Sequence, residues 1–343
     1  MTCRTRSLYR WMLLVLIIVL LLPELAMAAW VKLSGTMPAT GDVIRFKISS
    51  DGQYVVYLAD QDTDFVFELY SVPLAGPFTD RVKLNMPLAS DGDVIDLDIS
   101  PDGSRVVYRA NQDTSYVDEL YSVPIAGPAT EGLKLNGSLV LGGEVIGFKV
   151  SPDSSRVVYL ADQDTDYVEE LYSVPIAGPA TEGLKINGSL VLGGEVIDFK
   201  VSPDSSRVVY RADQDTDYVD ELYSVPIAGP SDTDIKLNGL LVTGGEVVTY
   251  ALSLDSSRAV YLADQDTDYV EELYSVPIAG PGSAGVKING PLVLGGDVLG
   301  FDISPDSKRV VYRADQDTDY VDELYVADAL FNVYLPLVVR RLD

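Results

Sequence analysis

The sequence predicts an all-β fold, a six-bladed β-propeller with four antiparallel strands in each blade, and three observations carry that prediction. The first is a repeat without a slip. Asp51, Asp102, Asp153, Asp204, Asp255 and Asp306 recur every 51 residues, and Lys32, Lys83, Lys134, Lys185, Lys236 and Lys287 keep the same interval. The second is the content of the repeat, four short β-like runs and no helical periodicity, which is the sequence signature of a radially repeated sheet. The third is the way the repeat starts and stops. "WVKLSG" (Trp30–Gly35) reads as a fourth strand with no blade before it, and the last copy leaves the pattern after Tyr325. The expectation is that this opening strand completes the sixth blade and closes the ring, leaving no free sheet edge.

The fourth copy shows the elements in order. "EVIDFKVS" (Glu195–Ser202) alternates Ile197, Phe199 and Val201 with polar neighbours, the period of a strand with one buried face. Pro203-Asp204-Ser205 is turn chemistry leading to "SRVVYRA" (Ser206–Ala212). An acidic turn follows, then "ELYSV" (Glu221–Val225), which Pro226 ends because it has no N–H to give to a ladder. "DIKLN" (Asp234–Asn238) supplies the fourth run.

Outside the repeats, residues 1–28 read as a signal peptide. Arg4, Arg6 and Arg10 precede the apolar run Trp11–Leu22, and Ala26-Met27-Ala28 offers a small-x-small cleavage site. Twelve apolar residues fall short of the roughly 20 that span a bilayer. Cleavage would remove Cys3, the only cysteine, and with it disulfide and thiolate chemistry. The expectation is therefore an extracytoplasmic protein (periplasmic, cell-surface or secreted) with no membrane span in the mature chain. The propeller occupies residues 29–328. Residues 329–343 form a tail whose stretch Tyr334–Val339 is strand-like and competes for the closing position.

Composition narrows the chemistry. The net charge is −27, with no histidine in 343 residues. Nucleic acid is excluded as a partner because phosphate binding needs clustered Lys and Arg. Ser-His-Asp catalysis is excluded with the histidine. Divalent cations and basic proteins suit the charge.

"ISPDGSRVVYRANQDTSYVDELYSVPIAG" (Ile99–Gly127) resembles the WD40-like repeats of TolB-type propellers, in its S-P-D-G hairpin, apolar strand, acidic turn and short strand ending in Leu-Tyr. The resemblance runs from about Trp30 to Tyr325 and implies a propeller. TolB carries an α/β domain before its propeller, and no such text is present, so the envelope role of TolB is not implied.

The acidic turn is the candidate metal site. D-x-D-x-D followed four residues later by Glu gives Asp60, Asp62, Asp64 and Glu68; Asp162, Asp164, Asp166 and Glu170; Asp213, Asp215, Asp217 and Glu221; Asp264, Asp266, Asp268 and Glu272; and Asp315, Asp317, Asp319 and Glu323. Carboxylates at loop positions 1, 3, 5 and 9 are hard oxygen ligands that one tight loop could fold around Ca²⁺. The spacing is similar to the calcium loops of integrin-type propellers, with one departure. Position 6, where a calcium loop uses Gly, is Phe65, Tyr167, Tyr218, Tyr269 or Tyr320, and an aromatic residue resists positive φ. The second copy keeps only Asp113 between Asn111 and Ser115. The competing reading is a hairpin whose aspartates bond their own backbone.

Two finer patterns remain. Leu58, Arg109, Leu160, Arg211, Leu262 and Arg313 alternate at one position, and each Arg copy has an Asp across the turn: Asp118, Asp220 and Asp322. A cross-strand ion pair is expected there, with a pseudo-threefold ring of blade pairs. The first strands, innermost in a propeller, vary most at two positions: Arg45 and Lys47, Asp96 and Asp98, Gly147 and Lys149, Asp198 and Lys200, Thr249 and Ala251, Gly300 and Asp302. Arg45, Asp96, Asp198 and Thr249 are the candidate channel lining, either bridging blades or forming a small-ligand site.

No catalytic constellation stands out. The functional expectation is an exported, non-enzymatic propeller that serves as a protein-interaction or ligand-binding scaffold, stabilised by Ca²⁺ if the acidic loops bind it. The alternative is an extracytoplasmic hydrolase or lactonase with its site in the central channel.

Overall fold

The computed structural model describes residues 30–328 and consists of six antiparallel sheets, five of four strands and one of three. The expected signal peptide and the tail lie outside the described residues. Strands follow one another across each sheet in sequence order, the arrangement of a propeller blade. No helix of the described residues is long and apolar enough to cross a membrane.

The first strands are Val43–Ile48, Val94–Ile99, Val145–Val150, Val196–Val201, Val247–Leu252 and Val298–Ile303. Neighbouring first strands approach one another, which places them nearest the axis. Each carries a one-residue bulge near its start. The second strands are Tyr54–Ala59, Arg105–Ala110, Arg156–Ala161, Arg207–Ala212, Arg258–Ala263 and Arg309–Ala314, and in the first five blades they are largely buried. The third strands run from Glu68–Pro73 to Glu323–Asp328, and the fourth are only two residues long, as in Ile235–Lys236. The prolines expected to end the third strand occupy its last paired position, with Pro226 opposite Arg207.

Blade cohesion comes from apolar side chains meeting between adjacent sheets. Val56, Leu58, Leu69 and Leu84 of the first blade pack on Val94, Leu97, Val106 and Tyr108 of the second, and the set recurs around the molecule. Burying one such leucine is worth about 2 kcal/mol. Within each blade a second-strand tyrosine stacks on a third-strand tyrosine, as for Tyr159 and Tyr172 with centroids 5.2 Å apart, which adds about 1 kcal/mol beyond area. Their hydroxyls are satisfied: Tyr159 donates to Gln163 (3.0 Å) and Tyr172 to Glu170 (3.2 Å). The glutamine of the acidic turn thereby anchors the core. The turn aspartate also earns its recurrence. Asp102 Oδ1 accepts from the Ser104 N–H (2.9 Å), while the Asp102 N–H reaches Ser154 Oγ (2.9 Å) in the next blade.

The closing pair expected of Trp30–Gly35 is not among the strand pairs of the described residues. The sixth sheet ends at its third strand. The opening segment instead lies on the first blade, where the Gly35 N–H donates to Gln61 Oε1 (2.8 Å) and Leu33 joins the cluster of Val55, Tyr57 and Tyr70.

Candidate functional site

The second-to-third-strand loops and the loops that enter each first strand emerge at the same end of every blade and are bonded together. In the third blade the Val140 N–H donates to the Gln163 carbonyl (3.1 Å) and the Asp162 N–H to the Glu144 carbonyl (3.3 Å). This end carries the sequence-predicted carboxylates, and the structure sends them to different partners.

The first aspartate acts as a backbone clasp. Asp162 Oδ1 accepts from the Glu144 N–H (2.5 Å) and its Oδ2 from the Tyr167 N–H (3.2 Å). Asp60, Asp213, Asp264 and Asp315 repeat the arrangement. The backbone N–H groups of Asp42 and Asp297 hold the Asp60 and Asp315 carboxyls below the usual aspartate range. The third aspartate turns toward the incoming loop: Asp64 accepts from the Thr40 hydroxyl (2.5 Å), and Asp166, Asp217, Asp268 and Asp319 lie against Gly142, Gly193, Gly244 and Gly295.

The second aspartate and the glutamate do meet, around a lysine. Lys185 Nζ lies 2.9 Å from Asp164 and 2.7 Å from Glu170. Lys83 joins Asp62 and Glu68, Lys236 joins Asp215 and Glu221, and Lys287 joins Asp266 and Glu272. Lys134 does the same with Asp113 and Glu119 in the reduced copy. Burial pulls these ammonium groups down, but the hydrogen bonds to both carboxylates outweigh it and leave Lys83, Lys185, Lys236 and Lys287 above the ordinary lysine value. The cation held at positions 3 and 9 of the loop is thus a side chain of the same blade. Among the described residues no group of three or more His, Cys, Asp or Glu side chains is arranged to hold a metal ion.

Position 6 corrects the expectation that an aromatic residue there avoids positive φ. Phe65, Tyr116, Tyr167, Tyr218, Tyr269 and Tyr320 do adopt the left-handed region, with φ between 59 and 64°. Such backbone costs on the order of 1 kcal/mol or more per residue. The clasp from the first aspartate to the aromatic N–H supports it. The effect is to throw six aromatic rings outward, 73 to 90% exposed. Leu141, Leu192 and Leu294, almost wholly exposed, stand beside the loops that carry Tyr167, Tyr218 and Tyr320. The recurrence of an aromatic residue at a turn position was the sequence signal for this crown, and it was read only as a departure from calcium geometry.

Between crown residues lie acidic clefts. One of about 240 Å³ is lined by Glu246, Asp264, Tyr269, Glu271, Asp297 and Leu299, among others. Burial raises the Glu271 carboxyl above its ordinary value, with Asp297, Asp264 and Glu246 adding to the shift. Glu169 is raised in the same way, by burial and then by Glu195, Asp162 and Glu144.

The candidate channel residues divide. Arg45 pairs with Asp96, and Lys47 with Asp98 at 2.8 Å, both between the first two blades. Asp198 pairs with Arg211 (3.1 Å) inside its own blade. Thr249 faces Leu262 across the ladder. Lys200 lies over the Tyr250 ring, 4.3 Å from its centroid, and bonds the Tyr250 carbonyl; burial lowers its pKa. Bridging between and within blades accounts for most of this lining.

The expected Arg–Asp pairs all form: Arg109–Asp118 (3.1 Å), Arg211–Asp220 (3.3 Å) and Arg313–Asp322 (3.1 Å). The contact is diagonal, because Arg109 stands opposite Leu120 and the aspartate lies just before the third strand.

No protein-family model matches the chain, and no curated protein sequence matches it. Solved structures do. Prolyl oligopeptidase B of Galerina marginata matches with a TM-score of 0.51 and 11% identity over 84% of this chain and 42% of that one. A prolyl endopeptidase matches with a TM-score of 0.51 and 14% identity over 84% and 41%. An oligogalacturonate lyase in complex with manganese gives 0.43 and 13% over 82% and 87%. The chain therefore spans about two fifths of the length of the two prolyl peptidases. At these identities the likeness is one of fold. It corrects the expectation of a non-enzymatic chain, because the two prolyl peptidases that share this fold are enzymes.

Proposed function

We propose that this protein is an exported binding scaffold whose crown of aromatic rings and acidic clefts takes up a cationic, partly apolar protein surface. The observation that carries the reading is the set of six exposed aromatic residues held at positive φ. Strain that a fold maintains while exposing large rings to water is the pattern of a contact surface rather than of a core. Aromatic faces and neighbouring carboxylates together suit Lys and Arg side chains, through cation–π attraction and charge-assisted hydrogen bonds. The net charge of −27 draws the same class of partner at long range. The signal-like first 28 residues support an extracytoplasmic setting.

Titration with an amphipathic lysine–leucine peptide, followed by tyrosine fluorescence, tests the reading. The triple variant Tyr167→Ser, Tyr218→Ser, Tyr269→Ser should bind about tenfold or more weakly, since each lost cation–π contact is worth about 0.5–1 kcal/mol. Its thermal midpoint should hold or rise. Equal affinity in parent and variant would remove the crown from the function.

A second reading rests on Glu271, which lines a cleft and has the raised pKa of a candidate general acid. In that reading the protein is an extracytoplasmic hydrolase. Turnover of lactone or glycoside panels that is abolished by Glu271→Gln would establish it, and no turnover on either panel would count against it.

A further inference from the structure

The two ends of the blade series are bare in complementary ways. Leu69, Leu120, Leu171, Leu222 and Leu273 are fully buried between blades, whereas the equivalent Leu324 is 76% exposed. Val326 and Val311 beside it are also open. On the first blade, Val43, Ile44, Phe46 and Ile48 are exposed, while Leu97, the second-blade counterpart of Phe46, is buried. A cleft of about 280 Å³ runs along this face, lined by Leu33, Val43, Phe46, Ile48, Tyr57 and Leu74, among others. Each bare face is one half of the interface that is mated five times within the chain.

Charge tells the same story. In five blades a fourth-strand lysine sits between the loop aspartate and the third-strand glutamate. Asp317 and Glu323 in the sixth blade have no such lysine among the described residues, and Glu323 bonds only the Tyr325 hydroxyl (3.0 Å). Lys32, the first lysine of the repeat series, is exposed and has no acidic partner there. Its flanking residues already sit on the first blade as a fourth strand sits on the blade that follows it. A Cβ on Gly76 would lie 2.8 Å from Val31 Cγ1, just as one on Gly127 would lie 2.7 Å from Val82 Cγ1. One repeat on from Lys287 the sequence has Val338, so the lysine series is not continued at that position.

The alternation of blades agrees. Arg109 donates to the Val145 carbonyl (3.0 Å) and Arg211 to the Val248 carbonyl (2.8 Å), so an arginine blade always meets the first strand of an odd-numbered blade. Arg313 belongs to an arginine blade and faces no such strand. The surface it fits is the first blade.

We infer that the sixth-blade face of one molecule takes the first-blade face of a second copy, with the second copy's Trp30–Gly35 added as the missing fourth strand and its Lys32 placed between Asp317 and Glu323. This is β-strand addition backed by an apolar interface whose shape the chain already repeats. The contact is head-to-tail, so a two-chain assembly keeps one free face of each kind.

Sedimentation of the full chain as recovered from an expressing cell tests the inference. Mean mass should rise with concentration. Leu324→Asp and Phe46→Asp should each sediment as monomers, and an equimolar mixture of the two should form a two-chain species and nothing larger, because one intact face of each kind remains. Lys32→Glu and Glu323→Lys, both at exposed positions, guard against misfolding. Each alone should weaken association at least tenfold, and the mixture should recover it. A parent that stays monomeric at every concentration overturns the inference, as does carbodiimide coupling of Lys32 to Asp317 or Glu323 within a single chain. So does a mixture that fails to recover association while its components remain folded.

Discussion

Glu169 and Glu170 are neighbours in the chain and opposites in the fold. Glu170 is buried, accepts from the Tyr172 hydroxyl and lies 2.7 Å from Lys185. Glu169 is half-buried, with the carboxylates Glu195, Asp162 and Glu144 around it, and burial first and then those charges raise its pKa. The same pair recurs as Glu271 and Glu272. The difference teaches where a heavily acidic repeat protein keeps its unspent charge. Five of the blades neutralise their rim carboxylates internally, with one lysine each, and leave the cleft carboxylates for something outside.

Removing the internal cation is the strongest way to break that contrast. Lys185→Met would strand Glu170 and Asp164 around an empty position. Losing one partner of a buried ion pair costs about 3–5 kcal/mol, and partial exposure of Lys185 reduces the expected loss to about 2 kcal/mol, read by denaturant unfolding. Adding Glu170→Gln should recover most of it. The same variant sharpens the metal question. Millimolar Ca²⁺ should raise the midpoint of Lys185→Met by more than it raises the parent's, because only the variant opens the pair Asp164 and Glu170 in the third blade. A matching rise in the parent would mean that the lysines yield to calcium. The lysine contribution also has a pH signature. A folded-state pKa above the unfolded value gives stability that is complete below about 10.5 and lost as pH rises through the folded value.

The cleft side of the contrast predicts the opposite sign. Carboxyls whose folded pKa is raised bind protons more tightly in the native state, so they cost stability as pH climbs from the ordinary glutamate value through the folded one. Glu169→Gln should stabilise the protein at neutral pH, by no more than about 1 kcal/mol given its partial exposure. It should also flatten the slope of stability above about pH 4.5. An unchanged slope would mean that solvent screens the cluster.

Much of this architecture was legible in the chain. The 51-residue interval and the period-2 runs locate every blade and all three long strands, because strand alternation and turn chemistry are local properties. The Arg–Asp pairs were legible as well, although their register was off by two residues because the turn uses both the aspartate and the aromatic residue after it. What the sequence could not convey was partnership at a distance. The recurring lysine served only as a ruler until the fold brought Lys185 between Asp164 and Glu170. The positive φ of Tyr167 runs against residue preference and depends on the clasp from Asp162. Closure is not shown among the described residues for the same reason: Trp30–Gly35 has the text of a fourth strand, but text does not say which third strand it will pair with.

The three arginine blades offer the finest cut, since they hold one ion pair in three settings. Arg109 and Asp118 are mostly covered, with 20 and 14% of their side chains exposed, whereas Arg313 and Asp322 stand at 58 and 41% on the bare sixth blade. Asp118→Ala should cost about 1 kcal/mol, because it leaves the Arg109 guanidinium half-buried with only the Val145 carbonyl. Asp322→Ala should cost less than about 0.5 kcal/mol in the dilute protein, where water screens the pair. The gap between the two should narrow as concentration rises if the sixth blade is covered by another copy. A pair of equal values at every concentration would mean that the two ends of the molecule are not the different environments their side chains present.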